Sequence, residues 1–232
     1  DKQTIEKIMF KEIELEVKFC GTRETGKELL EFAIACGKKV VLTSDMYLEK
    51  PIIEQILHKN GIEGFDKLYL SSDRRLLKST GHLFDLMIKE TKAAPSEIIH
   101  IGDNWNVDYV KAQSKGLKVI FLPKAIETFE NKISDIYTGN GITPFAKKTL
   151  STIDTTYALN QLPIRCMLGV VANNIFDNPF NPYQKISNFN ADTYNTGFYT
   201  MGMHLFSVAK WMCDKAVRSN CKKIVFLARD GY

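Results

Sequence analysis

Long apolar runs are missing from this chain of 232 residues. The longest uninterrupted stretches are a handful of residues, as in Cys166-Met167-Leu168-Gly169-Val170-Val171-Ala172. A membrane-spanning helix needs about 20, so no transmembrane segment is expected. An excess of one charge is missing too. The 31 basic residues face 27 acidic ones, a net charge of +4, too balanced to suggest nucleic-acid binding. Cysteine is scarce and unpatterned. Cys20, Cys36, Cys166, Cys213 and Cys221 form no CxxC pair, and His58, His82, His100 and His204 do not cluster with them at zinc-ligand spacing. Four of the cysteines lie in or beside apolar or helical patterns, so buried free thiols in a reducing compartment are expected. No charged-then-apolar signal peptide opens the chain, and a cytoplasmic location is the default expectation. Solenoid repeats, low-complexity tracts, G-x-G-x-x-G and Walker lysine loops are all absent.

What is present is an ordinary globular composition, 44% hydrophobic and 25% charged. That supplies enough apolar surface to offset chain entropy. The length allows one large domain, or one domain and part of another, at a prior of ~150 residues each. The chain opens at Asp1 without methionine and stops at Ile224-Val225-Phe226-Leu227-Ala228-Arg229-Asp230-Gly231-Tyr232, an apolar strand pattern entering a turn. A piece of a longer polypeptide is the expectation.

Periodicity predicts alternating helices and strands. Ile5, Ile8, Met9 and Ile13 have helical spacing within 1–19, which Gly21 ends. A second helix spans 25–36, with Leu29, Leu30, Phe32, Ala33 and Ile34 as its buried side and Gly37 at its cap. A strand over 39–43 follows, then a helix from Pro51 to Asn60-Gly61, a strand over 67–70, and a helix over 79–91. That last helix turns Leu83, Leu86, Met87 and either His82 or Phe84 inward. Strands over 97–101 and 117–122 flank a helix over 105–115 that ends at Gly116. This order predicts a parallel sheet with helices on both faces. Beyond Pro123 the rhythm changes. Residues 124–165 read as short helical pieces and polar connections, 173–191 as an extended loop rich in Asn, Pro and Phe, 193–218 as a long helix, and 222–227 as a strand.

Ligands of open α/β sheets bind beyond the carboxyl ends of the strands, and three predicted strands end in residues suited to phosphate and metal chemistry. The first ends in Thr43-Ser44-Asp45-Met46-Tyr47. The Ser44 hydroxyl can donate to a phosphoryl oxygen, aided by amides of the turn; Ser44 or Asp45 would equally cap a helix starting near Leu48. The second ends in Leu70-Ser71-Ser72, with Lys78 at the start of the next helix, where an ammonium can neutralise developing charge. A solvated surface lysine is the plain alternative. The third is His100-Ile101-Gly102-Asp103-Asn104-Trp105-Asn106-Val107-Asp108. Asp103 at the strand end and Asp108 one turn into a helix can face one point, and paired carboxylates with room for water suit Mg²⁺. The alternative makes Asp103 and Asn104 caps and leaves Asp108 to complement the helix dipole.

In this order, the residues resemble the haloacid dehalogenase-like (HAD) superfamily of phosphohydrolases over about residues 10–123. Ser44 matches its second motif, Lys78 its third, and Gly102-Asp103 with Asp108 its fourth, in the form G-D-x-x-x-x-D. The strings Ser44-Asp45-Met46-Tyr47-Leu48 and His100-Ile101-Gly102-Asp103-Asn104 look like a bacterial subgroup linked to glycosyltransferases of surface-polysaccharide synthesis. Asn178-Pro179-Phe180 and the ending Phe226-Leu227-Ala228-Arg229-Asp230-Gly231-Tyr232 look like that subgroup's second region.

The resemblance implies a Rossmann-like α/β sheet. It divides the chain into a partial helical cap over 1–24, a core over 25–123, an irregular linker over 124–192, and a second truncated unit over 193–232. It also implies Mg²⁺-dependent hydrolysis of a small phosphorylated substrate such as a sugar phosphate, through an aspartyl-phosphate. Catalytic roles fall to Ser44, Lys78 and Asp103, substrate binding to Ser44, Asp45 and Lys78, and metal binding to Asp103 and Asp108. The nucleophilic aspartate belongs to a D-x-D motif on a first strand, which in such enzymes lies between the strands bearing Ser44 and Asp103. No D-x-D occurs in this sequence. Ala228-Arg229-Asp230-Gly231 is similar to it with alanine at the nucleophile, so strand 222–227 would either open a degenerate second unit or fill the vacant slot. An ordinary turn at Asp230-Gly231 competes with both readings. A non-catalytic regulatory or scaffold module attached to a fused or neighbouring glycosyltransferase is the competing function, and a nucleotide-binding protein without hydrolysis a more distant one.

Overall fold

The computed structural model describes residues 1–129, 155–180 and 192–225. Its contacts divide into two compact units, Asp1–Lys124 and Ala125–Tyr232.

The first unit opens with α1 (Lys2–Phe19), capped by the Asp1 carboxylate, which accepts from the Gln3 amide at 3.2 Å. The carbonyls orphaned at the other end are taken up by the next helix but one. Lys59 Nζ donates to the carbonyls of Val17 and Lys18 at 2.8 and 2.6 Å, and Asn60 Nδ2 to that of Cys20 at 3.0 Å. Helix α2 (Glu24–Ala35) closes where Gly37 turns left-handed at φ +67°. Strand β1 (Val41–Ser44) follows, then α3 (Lys50–Lys59) with Pro51 in its first turn and Gly61 at φ +65° beyond its end. Next come β2 (Lys67–Leu70), a single turn α4 (Ser71–Arg74) and α5 (His82–Thr91). Strand β3 (Ile99–Gly102) leads into a wide π-helical segment, Trp105–Lys111, then α6 (Ala112–Ser114) and β4 (Lys118–Phe121).

The alternation is therefore α/β, but the strands form two sheets of two. β1 pairs parallel with β2, from Val41 opposite Lys67 to Ser44 opposite Leu70. β3 pairs parallel with β4, from Ile99 opposite Lys118 to Gly102 opposite Phe121. Among the described residues, β1 and β3 are not paired with each other, so one continuous sheet is not seen. The β3–β4 pair leaves Ile99, Ile101 and Ile120 exposed on one face, whereas parallel sheets normally have both faces covered.

Tyr69 of β2, Leu83, Phe84 and Met87 of α5, Ala112 and Leu117 form one buried cluster, with Val41, Ile98 and Val119 packed against it. It draws on both sheets, so α5 ties them through its apolar stripe. Phe84, not His82, takes the inward position. The helix expected over 79–91 starts only at His82, because Gly81 ahead of it lies at φ +88° and ends the preceding turn.

Other expectations change as well. Phe32, expected on the buried side of α2, is 68% exposed. Ile5, Ile8 and Met9 of α1 are exposed, and no residue of that helix is fully buried. The five cysteines are free, but only Cys20 is partly buried; the other four are exposed. Helical spacing carries the chain past such positions without telling which face meets a neighbour.

In the second unit residues 125–129 are helical, in line with the short helical pieces expected over 124–165, but α7 (Thr155–Phe176) runs on through 155–165 as part of one long helix and continues through 173–176, where a loop is expected. Leu168, Val171, Ala172 and Ile175 recur on one side of it and pack with Phe176, Ala125 and Phe129, the spacing of a buried helical stripe. The helix expected over 193–218 runs as α8 (Thr193–Thr196), a π-helical segment Gly197–Gly202 bounded by two glycines, and α9 (Met203–Arg218). Residues 222–225 form no strand. The rest of the expected strand over 222–227, with Ala228-Arg229-Asp230-Gly231, lies outside the described residues, as do 130–154 and 181–191. No helix among the described residues is long and apolar enough to cross a membrane.

Phe84 and Phe32 set up a direct contrast. Phe84→Ala empties the cluster joining the two sheets and is expected to cost about 3–5 kcal/mol in urea unfolding. Phe32→Ala, on an exposed face, should change stability by less than about 0.5 kcal/mol.

Candidate functional site

The ends of β1, β2 and β3 are connected by one chain of polar contacts. It starts where β1 delivers Ser44 and Asp45. The Asp45 carboxylate accepts from the backbone N–H of Lys78 at 2.8 and 3.1 Å and from that of Ser79 at 3.3 Å. Asp45 thus fastens the turn carrying Lys78 to the end of β1. It does not cap the nearby α3, whose N-cap residue is Glu49, without a side-chain bond. The same loop is held from β2. Ser71 Oγ accepts from the Met46 N–H at 2.8 Å and donates to the Met46 carbonyl at 3.1 Å, and Ser72 Oγ donates to the Leu48 carbonyl at 2.8 Å. The Met46 amide, one of the turn amides expected to help hold phosphate, is therefore spent on Ser71. The Ser44 hydroxyl has no hydrogen-bond partner among the described residues.

From its fastened turn, Lys78 reaches toward β3. Its Nζ lies 2.6 Å from Asp108 Oδ1. Asp108, only 3% exposed, is held from three sides. His100 Nε2 meets the same Oδ1 at 3.0 Å, and the Asn104 N–H donates to Oδ2 at 3.0 Å. Asn104 in turn caps the π-helical segment, accepting from the Val107 N–H at 3.0 Å. Gly102 makes the close approach possible. A Cβ there would come within 2.4 Å of Asp108 Cγ, so this position excludes every side chain.

Burial pushes the Asp108 carboxyl upward, but the hydrogen bonds from His100 and Lys78, the Lys78 charge and the Asn104 amide outweigh it and hold the group well below the usual carboxylate range. It is ionised at neutral pH. Its dense support explains why so buried a charge is tolerated.

Asp103 stands apart from this network. Its side chain is 44% exposed, with Lys124 Nζ at 3.7 Å. Ser44 and Asp103 do not hydrogen-bond each other; what links their strand ends is Asp45, the Lys78 turn and Asp108.

Mg²⁺ asks for near-octahedral oxygen ligation and keeps several waters. No group of three or more His, Cys, Asp or Glu suited to a metal occurs among the described residues. Taken singly, Asp103 fits a cation: it is accessible, and its one ion-pair partner among the described residues, Lys124, is loose. Asp108 fits less directly. A cation on Oδ1 would sit against the Lys78 ammonium, leaving Oδ2, which is almost wholly enclosed, to act at most through water.

His100, Ser71 and Ser72 carry structural roles at this site that the sequence reading missed, whereas Asn104 caps the segment after β3 as its alternative reading had it. The signal was faint: His100 is a polar residue at an inward position of a short apolar strand.

No family model matches the chain, and no curated protein matches it.

Two outcomes follow from this geometry. Asp108 has a lower pKa folded than unfolded, so its contribution is fully present above the unfolded value of ~3.9 and fades as pH falls below it. Stability measured from pH 7 to 2 should drop on the acid side, and Asp108→Asn should flatten that limb while lowering stability at pH 7 by about 3 kcal/mol. Gly102→Ala, which collides with Asp108, should lose about 1–3 kcal/mol; an unchanged unfolding midpoint would contradict the packing described.

Proposed function

We propose that this chain carries the phosphate-facing part of a HAD-like phosphohydrolase, one that cleaves a small phosphomonoester by transfer to an aspartate and then to water. What supports the reading is the joining of three strand ends: the Ser44 hydroxyl, the Lys78 ammonium and the Gly102-Asp103 turn lie at or beyond the carboxyl ends of β1, β2 and β3, linked through Asp45 and Asp108. In this reading Ser44 donates to a phosphoryl oxygen. Lys78 offsets negative charge on the transferring group, held in place by Asp108 and by the Asp45 grip on its backbone. Asp45 acts on substrate by positioning Lys78, since its oxygens are already engaged by the Lys78 and Ser79 amides.

Asp103 would hold Mg²⁺, with Asp108 behind it. When bound, the ion supplies charge neutralisation and orientation of the phosphoryl group. The nucleophile belongs to a D-x-D strand outside these residues. That strand lies between β1 and β3 and makes the two pairs into one Rossmann-like sheet. Among the described residues β1 and β3 each have one edge without a strand partner, and the Lys78–Asp108 contact connects the carboxyl ends of the two pairs, which supports such a slot. A sugar phosphate is the substrate class, and a fused or neighbouring glycosyltransferase the partner, that the subgroup resemblance favours.

The parent polypeptide bearing the D-x-D strand is the material for the test. It should release phosphate from simple phosphomonoesters with Mg²⁺. Asp103→Ala and Lys78→Met should each lower turnover by about 10²–10³-fold, and Ser44→Ala should raise KM. The 232-residue chain alone should turn over nothing. Full activity for Asp103→Ala, or robust turnover by the chain alone, contradicts the proposal. A parent that binds no phosphate and hydrolyses none would favour the non-catalytic module instead.

A further inference from the structure

His100 has no role in the phosphohydrolase reading, yet its placement is specific. On β3 its neighbours Ile99 and Ile101 are exposed, while His100 is turned inward, its side chain 11% exposed. The ring meets the Phe84 ring edge-on at 5.0 Å and 79°. An apolar residue at that position would pack against Phe84 with no polar group to satisfy. The imidazole instead places Nε2 at 3.0 Å from Asp108 Oδ1, the oxygen that also receives Lys78 Nζ at 2.6 Å.

We propose that His100 is a positioning residue: its Nε2–H fixes the Asp108 carboxylate so that Asp108 holds the Lys78 ammonium at the sheet edge. The purpose of this device rests on the phosphoryl-site reading; its geometry does not. An ionised carboxylate only accepts hydrogen bonds, so the nitrogen facing Asp108 carries a hydrogen. Lysine has a flexible four-carbon stem with large rotamer entropy, and a point charge on such a stem is aimed only if its counter-ion is itself immobile. Asp108 is pinned at Oδ2 by the Asn104 amide. Without a second donor at Oδ1, the carboxylate could rotate about its last bond to follow Lys78. With His100 there, both oxygens are fixed by groups other than the lysine, and the lysine follows the carboxylate. The fixed edge of Phe84 holds the ring in turn.

The test uses the whole chain, labelled with ¹⁵N, in three forms: unsubstituted, His100→Gln and His100→Leu. Glutamine keeps an N–H donor at comparable reach; leucine keeps bulk and loses the donor. In alkaline buffer the imidazole ¹⁵N signals of the unsubstituted chain should show Nε2 protonated and Nδ1 bare. Hydrogen exchange at the Lys78 ammonium should quicken by about tenfold or more in His100→Leu and stay within about threefold in His100→Gln, the scale of one hydrogen bond to a charged group. Titration with inorganic phosphate should show weaker binding by His100→Leu than by His100→Gln. A bare Nε2, or Lys78 exchange unchanged in His100→Leu, overturns the proposal. Should His100→Leu fail to fold, the glutamine variant decides: slow exchange supports the role, and fast exchange overturns it. If the unsubstituted chain binds no phosphate while the tautomer and exchange results hold, the phosphoryl-site reading fails and the positioning of Lys78 by His100 stands.

Discussion

The Lys78–Asp108 ion pair is the contact on which the arrangement of the first unit depends. It joins a turn that belongs with β1 and β2 to a segment that belongs with β3 and β4, at 2.6 Å and away from solvent. Exposed ion pairs contribute little, and a buried one is destabilising unless its remaining hydrogen-bonding capacity is met. Here it is met. His100 and Asn104 complete the carboxylate, and Asp45 holds the lysine's backbone. The α5 cluster around Phe84 and Met87 supplies the apolar side of the same junction. One polar tie and one apolar tie therefore set how two small sheets meet.

Those sheets are unusual as they stand. Two-stranded pairs are marginal by themselves, and β1 and β3 each present a row of backbone groups without a strand partner among the described residues. Ile99, Ile101 and Ile120 are exposed on one face of the β3–β4 pair. In the proposed function a further parallel strand would deliver its carboxyl end beside this polar network, and the nucleophile is placed there.

Much of the first unit was legible in sequence because its punctuation is local. Gly37, Gly61 and Gly116 all take the left-handed conformation expected of helix closures, and Pro51 sits in a first helical turn. Element types depend on periods of two and 3.6 and on such residues, so the order of strands and helices could be read. Which face of a helix meets a neighbour is a tertiary fact. Phe32 and the α1 residues Ile5, Ile8 and Met9 have the right spacing and still face outward. The second unit resisted for a related reason: Asn173-Asn174 read as part of a loop, yet α7 runs through them and through Pro163, its Leu168–Ile175 stripe held by packing with Phe129 and Phe176.

Within the site, Ser44, Lys78, Asp103 and Asp108 could be picked out because each follows a strand. Their division of labour could not. That Asp45 serves the Lys78 turn rather than its own helix, and that His100 holds Asp108, are contacts between residues 33 and 8 positions apart, set by the fold rather than by spacing. A double-mutant cycle on Lys78→Met and Asp108→Asn, followed by urea unfolding, tests the junction most directly. The account predicts that the two losses are strongly non-additive, with a coupling of about 2–3 kcal/mol. Losses that simply add, to within about 0.5 kcal/mol, would show that the pair does not join the strand ends.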